Sequence, residues 1–362
     1  MSRRMQMVLM IMAVFVFIPA LALASTVDLP KTGQTTSYAA GDDGDLEEGV
    51  AWPSPRFTDN TDGTVTDNLT GLMWAQDANL DGAKTWANAL TYVNALDFAG
   101  HDDWRLPNRK ELRSLTDYAQ FDPSLPAGHP FINVLSGGSD FYWSSTTAAY
   151  TANSAWISSA RDGYLGGSFK TDTRYVWPVR ATTAQPAQLP KTGQTTPYAA
   201  GDDGDLQEGV AWPSPRFTNN GDGTVTDNLT GLMWAQNANL DGAKTWANAL
   251  TYVTALNLAG HADWRLANVN ELESLINAQE ASSATWLNTQ GFTDVQAATY
   301  WSSTTYGNNT LNAWVVHIGD GYVVASNPKT WTFYLWPVRG AASGATPSGA
   351  SGGGCFITTA GQ

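Results

Sequence analysis

The sequence predicts an α+β fold made of two tandem domains, each a mainly antiparallel sheet carrying two helices. Three observations predict it. The first is an internal duplication. Leu29-Pro30-Lys31-Thr32-Gly33-Gln34 recurs as Leu189-Pro190-Lys191-Thr192-Gly193-Gln194, and Trp177-Pro178-Val179-Arg180 recurs as Trp336-Pro337-Val338-Arg339. A period near 160 residues is too long for a solenoid and suits two globular units. The second is the order inside each unit: short β-rich segments, two helical segments, then β-rich segments again. The third is composition. The chain is 43% hydrophobic but only 14% charged, with 34 Gly and 16 Trp, a profile of β-rich extracytoplasmic proteins.

The elements follow in order. Arg56-Phe57-Thr58 leads through an Asp62-Gly63 turn into Thr64-Val65-Thr66, a hairpin signal. Asp67 to Gly71 forms the next turn, and Leu72-Met73-Trp74 is a third strand. From Thr85 to Leu96 the apolar residues Trp86, Leu90, Val93 and Leu96 share one helical face, with Thr85 as N-cap. A second helix begins after Trp104-Arg105-Leu106-Pro107, where Asn108 and Glu111 have capping-box spacing, repeated by Asn268 and Glu271. Arg105 and Arg265 are expected to be buried and paired with Glu111 and Glu271. The unit closes with β segments at Phe141–Ser145, Ala155–Ile157, Tyr164–Leu165 and Tyr175–Arg180.

The expected organisation is a signal peptide over 1–24, copy 1 over 29–180, a linker over 181–188, copy 2 over 189–339 and a tail over 340–362. Arg3 and Arg4, the apolar run Val8–Ile18 and Ala22-Leu23-Ala24 give the secretory pattern, so the mature chain is expected outside the cytoplasm without a membrane span. The tail is Gly- and Ser-rich and ends in Cys355-Phe356-Ile357, which resembles the short box closing many exported bacterial repeat proteins. With 33 acidic and 19 basic residues the net charge is −14, which argues against nucleic acid as a partner. One cysteine excludes an internal disulfide framework and a thiolate zinc site.

Four motifs recur in order in both copies: Asp62-Gly63-Thr64-Val65-Thr66-Asp67 through Leu72-Met73-Trp74; Asp103-Trp104-Arg105-Leu106-Pro107 with Glu111-Leu112; Tyr142-Trp143-Ser144-Ser145-Thr146; and Trp177-Pro178-Val179-Arg180. This set resembles the Lcl C-terminal domain family, named after the terminal domain of a bacterial collagen-like adhesin. The resemblance implies an exported protein with C-type-lectin-like domains and, for that adhesin, binding to sulfated glycans. This chain differs in lacking a collagen Gly-X-Y stretch, in its acidity and in carrying the domain twice, with Ala267 where copy 1 has Pro107. The Trp-Arg-Leu-Pro element is also similar to sulfatase-modifying domains. That chemistry uses a cysteine pair, which is missing here.

The expected function is therefore binding or adhesion, toward a glycan or an extracellular protein, rather than catalysis. A structural spacer is the alternative reading. No catalytic residue is expected: no nucleophile elbow is present, and His101 and His261 read as helix-end caps. Recognition is expected where the copies diverge, which nominates Tyr150, Trp286, Tyr306 and Trp331 as ligand-contacting aromatics. Calcium is a candidate cofactor, because Asp42, Asp43 and Asp45, copied as Asp202, Asp203 and Asp205, cluster around glycine. Asp59, Asp62 and Asp67, with Asp222 and Asp227 in copy 2, form a second carboxylate group, although solvated turns are the favoured reading of both groups.

Overall fold

A computed structural model describes residues 27–182 and 187–340. The expected signal peptide, the middle of the linker and the tail with Cys355 lie outside the described residues. Among the described residues no helix is long and apolar enough to cross a membrane.

Copy 1 begins with a one-turn helix, α1 (Asp43–Leu46), and a meander of β1 (Phe57–Asp59), β2 (Thr64–Asp67) and β3 (Leu72–Ala75). Helices α2 (Trp86–Asn94) and α3 (Arg109–Ser114) follow, then β4 (Tyr142–Thr147), β5 (Ser154–Ser158), β6 (Leu165–Phe169) and β7 (Val179–Ala181). Copy 2 repeats the plan with α4 (Asp203–Leu206), β8 (Phe217–Asn219), β9 (Thr224–Asp227), β10 (Met233–Ala235) and α5 (Trp246–Thr254). It continues with β11 (Arg265–Leu266), α6 (Val269–Ser274), α7 (Ser283–Leu287), β12 (Thr299–Thr305), β13 (Asn312–His317), β14 (Val323–Pro328) and β15 (Pro337–Arg339). All strand pairs are antiparallel, so the α+β class with antiparallel sheets holds in both copies.

The local signals act as predicted. Gly63, at φ 91°, makes the turn between β1 and β2. Trp86, Leu90 and Val93 are buried on one face of α2, while Leu96 is only half-buried beyond its end. Asn108 caps α3 by accepting from the Lys110 and Glu111 amides, and Glu111 reaches back to the Asn108 amide at 2.8 Å. Replacing Asn108 by Ala should lower stability by about 1 kcal/mol, read as a lower denaturant midpoint with an unchanged slope. Arg105 meets Glu111 in a two-pronged pair at 2.7 and 2.5 Å, and Arg265 meets Glu271 at 2.7 and 2.6 Å.

Three features differ from the sequence reading. Each copy gains a one-turn helix in its leader, and copy 2 gains α7, so two helices per copy is an undercount. The closing strand is short: β7 covers only Val179–Ala181, and its counterpart β15 only Pro337–Arg339. Ahead of it, Tyr175 takes its amide bond from β4's neighbourhood instead, Tyr175 N–H donating to Phe141 O at 2.9 Å.

The third difference concerns the relation of the copies. A six-stranded sheet runs β12-β13-β14-β6-β5-β4, half from each copy, joined where Val323 pairs with Leu165. The leader of each copy also crosses to the other. Gln34 exchanges two hydrogen bonds with Thr305 (2.8 and 2.9 Å), and Gln194 does the same with Thr147 (2.9 and 2.9 Å). Equivalent contacts thus interchange when the copies are interchanged, the mark of an approximate two-fold axis. This explains why β4 is buried at all six positions instead of alternating. Helices of its own copy lie on it, and α4 of the other copy covers it as well. Gly44 permits the leader's tight fold, because a Cβ there would stand 2.0 Å from the Thr36 carbonyl oxygen. One core cluster spans the junction, mixing Tyr118, Trp156 and Leu165 of copy 1 with Trp314, Val323 and Trp336 of copy 2.

Candidate functional site: an aromatic surface on copy 2

Of the large aromatic side chains buried fully, most are the tryptophans that repeat between copies. Trp74, Trp143 and Trp177, with Trp234, Trp301 and Trp336, are all core. Trp331 is the exception, 54% exposed, in the turn after β14. Its amide donates to Pro328 O at 2.8 Å, which tightens that turn. Its ring stands against Phe333 at 6.1 Å, and Phe333 packs on buried Trp301 at 4.8 Å. Phe333 is tied on both sides of its own backbone to Lys244 (2.8 and 3.0 Å), and the Trp301 indole donates to Lys244 O at 2.9 Å. A chain of three rings therefore runs from core to solvent and supports Trp331 from beneath.

The surroundings of Trp331 are mixed in character. Leu311, 76% exposed, accepts the Lys329 amide at its carbonyl, which places it alongside the same turn. The Lys329 ammonium lies 3.7 Å from the Trp246 ring centre and 5.5 Å from that of Tyr38, and it donates to Thr305 Oγ1 at 2.7 Å. Burial pushes this lysine down to about 8. Tyr38 belongs to the copy 1 leader, so this lysine contact crosses the junction, and Lys170 repeats it in copy 1 over Trp86 and Tyr198. Copy 1 has no counterpart of the Trp331–Phe333 pair. There Asp172 and Arg174 occupy the two positions and form an ion pair at 3.4 Å.

The other three nominated aromatics fall elsewhere, and two of them need correcting. Tyr306 is 6% exposed, its ring packed against Trp314 at 5.8 Å and Phe121 of copy 1 at 6.2 Å. The Tyr150 hydroxyl lies 2.7 Å from that of Tyr322 in the other copy. Both are half of the joint between copies, not of a ligand surface. Trp286 is half-buried, stacked beside Trp212 and Phe217 at 5.7 Å each, over the Arg216 guanidinium. Only Trp331 combines exposure with rigid support.

The carboxylate groups are corrected likewise. Asp42 accepts from the Tyr38, Ala39 and Asp45 amides, and Asp45 from the Gly41 amide; Asp202 and Asp205 repeat this. Asp43 accepts from Thr32 and Thr304, and Asp203 from Thr192 and Thr146. Asp67 is paired with Arg56 at 2.8 and 3.0 Å, and Asp227 with Arg216 at 3.3 and 3.1 Å. Asp59, Asp62 and Asp222 accept from backbone amides of their own turns. Calcium needs six to eight converging oxygens, and each of these carboxylates is engaged with the chain's own amides, hydroxyls or guanidinium groups. Among the described residues no group of three potential metal-ligating side chains is close enough to share an ion.

Two clefts escape the sequence reading, because each is assembled from both copies. One, of about 300 Å³, sets Arg105 and Glu111 beside Glu208; the other, of about 310 Å³, sets Arg265 and Glu271 beside Glu48. The cross-copy contacts are Arg105–Glu208 at 3.8 Å and Arg265–Glu48 at 3.5 Å. No local motif marks Glu48 or Glu208, which lie more than 90 residues from their partners in sequence.

Among known proteins, a model of the Lcl C-terminal domain matches residues 63–180 and again 223–339. No curated protein matches the chain. Both leaders, 29–62 and 189–222, fall outside the matched spans.

Proposed function

The chain belongs to the Lcl C-terminal domain family, twice over, and from that premise we propose that it is an exported surface or secreted protein that binds a glycan. The family is associated with extracellular and surface proteins and suggests an adhesin-like role. The N-terminal secretory pattern supports export. The glycan reading rests on one observation: Trp331, exposed and backed by Phe333 and Trp301. An exposed aromatic ring braced from beneath suits stacking on the C–H face of a sugar ring. Divergence of this position between the copies fits a division of labour, with copy 2 carrying recognition.

The test is a glycan array followed by titration calorimetry on the best ligand. Trp331→Ala should weaken binding at least about tenfold, as loss of an aromatic anchor worth 1.4 kcal/mol or more does. Its melting temperature should stay within a degree of wild type, since the ring is mostly exposed. Binding should also survive EDTA, because the carboxylates are committed to the chain itself. A Trp331→Ala protein that binds as tightly as wild type would remove the reading. Silence of the whole chain on glycans and matrix proteins would favour a spacer.

A further inference from the structure

At the joint between the copies, α3 faces α6, and their charges do not cancel. Arg109, Lys110 and Arg113 on α3 are each at most 5% exposed, and the carboxylate that α6 sets against them is Glu273. Glu273 Oε1 stands 3.2 Å from Arg109 Nη2, a contact not aligned as a hydrogen bond, and Oε2 stands 3.8 Å from Lys110 Nζ. The Lys110 ammonium has that long ion-pair contact to Glu273, while the Arg113 Nε–H and the Arg109 Nε–H and Nη1 group are buried without a hydrogen-bond partner. Arg113 spends its other N–H groups on Gly163 O and the Tyr118 hydroxyl. The remaining charges near Lys110, Arg216 and Asp227, already pair with each other, as do Arg56 and Asp67 across the joint. Three buried cations thus face one anion.

A cavity of about 40 Å³ lies at this place, lined by Lys110, Arg113, Glu273, Asn270, Trp52 and Lys31. Lys31 is occupied by Glu47 at 2.9 Å, which leaves Lys110, at 3.8 Å from Glu273, as the weakly paired lysine of the lining. The volume holds roughly two or three waters, or one compact anion, and is far too small for a sugar. Burying two uncompensated charges would be costly, whereas one anion within reach of both removes most of that cost. We propose that this cavity is a binding site for one small anion, of chloride or carboxylate size, held by Lys110 and Arg113, which fastens the two copies together. The site is separate from the Trp331 surface and stands or falls without it.

Pairing explains why copy 2 departs from copy 1 here. The positions of Arg109, Lys110 and Arg113 carry Val269, Asn270 and Glu273 in copy 2. One-sided charge on an otherwise repeated helix makes a pocket with a positive excess on the axis itself. Burial pushes Lys110 down only to about 8, so it stays largely protonated at neutral pH.

The test is thermal unfolding of the full chain at constant ionic strength. Sodium gluconate, too bulky for the cavity, is replaced stepwise by chloride in one series and by acetate in another. Wild type should gain a few degrees with a saturating dependence on one of the small anions, and the series that saturates at lower concentration names the occupant. Lys110→Met, which removes the charge but fills the space, should melt at the same temperature in all three salts. A rise that is absent, that never saturates, or that persists in Lys110→Met overturns the proposal. Should Lys110→Met not fold, crystals of wild type grown in bromide decide it. An anomalous peak within about 4 Å of Lys110 Nζ supports the site, and a cavity without one overturns it.

Discussion

A chain cut at a protease site inserted after Thr182 should run as one particle in gel filtration at micromolar concentration, and residues 27–182 expressed alone should lose cooperative unfolding. The two halves share one six-stranded sheet and exchange leaders, so neither half closes its own core. Tyr118, Trp156 and Leu165 would be uncovered in an isolated first half, at roughly 1.5–3 kcal/mol for each large side chain. Their loss together is comparable to the whole stability of an ordinary domain. Self-pairing of the first half offers no escape, because it would set Arg109, Lys110 and Arg113 against a second set of the same cations. A monomeric first half that melts cooperatively near the temperature of the intact chain would show that the junction is dispensable.

Stability should fall as pH rises from about 4 to 7, and Asp43→Asn should remove much of that slope. Asp43 is 2% exposed, its Oδ2 accepting from Thr32 at 2.7 Å and from Thr304 of the other copy at 2.7 Å. Burial outweighs these hydroxyls and raises the carboxyl from 3.8 to about 7. Burial likewise raises Asp203 to about 6. A group whose folded value lies above its unfolded value favours folding fully below the unfolded value. That benefit is lost as pH climbs to the folded value, since the unfolded chain gives up the proton first. For Asp43 the window is 3.8 to about 7, and the change is on the order of 4 kcal/mol. Asparagine keeps a carbonyl to accept from the threonines and carries no charge. Denaturant midpoints at pH 4.5, 6 and 7.5 should therefore converge on wild type at acid pH and exceed it at pH 7.5. Parallel profiles for the two proteins would refute the assignment. Exposed acids held low, such as Asp103 beside Arg180, titrate in both proteins and cancel in the difference.

The features legible in the sequence are the local ones. The Asp62-Gly63 turn, the apolar face of α2, the Asn108–Glu111 box and the Arg105–Glu111 pair each depend on residues within about ten positions of one another. Such contacts leave a mark in spacing. The aspartate clusters show the limit of that method. Spacing brought Asp42, Asp43 and Asp45 together, but spacing says nothing about whether a carboxylate faces a cation or an amide, and here the amides have taken it.

The sequence by itself determined that there are two copies of one strand–helix–strand unit, the meander and the two main helices of each, and that their repeated tryptophans form cores. Only the tertiary structure decided that the leaders cross over, that Tyr150 and Tyr306 seal a joint, and that Trp331 alone stands free on a braced surface. The physical reason is that the two leaders, 29–56 and 189–216, differ at only two positions, Ser37/Pro197 and Glu47/Gln207. Either could lie on either copy by local preference. The choice is made by packing between groups as far apart in the chain as Gln34 and Thr305, where burial in three dimensions, not order along the chain, sets the partner.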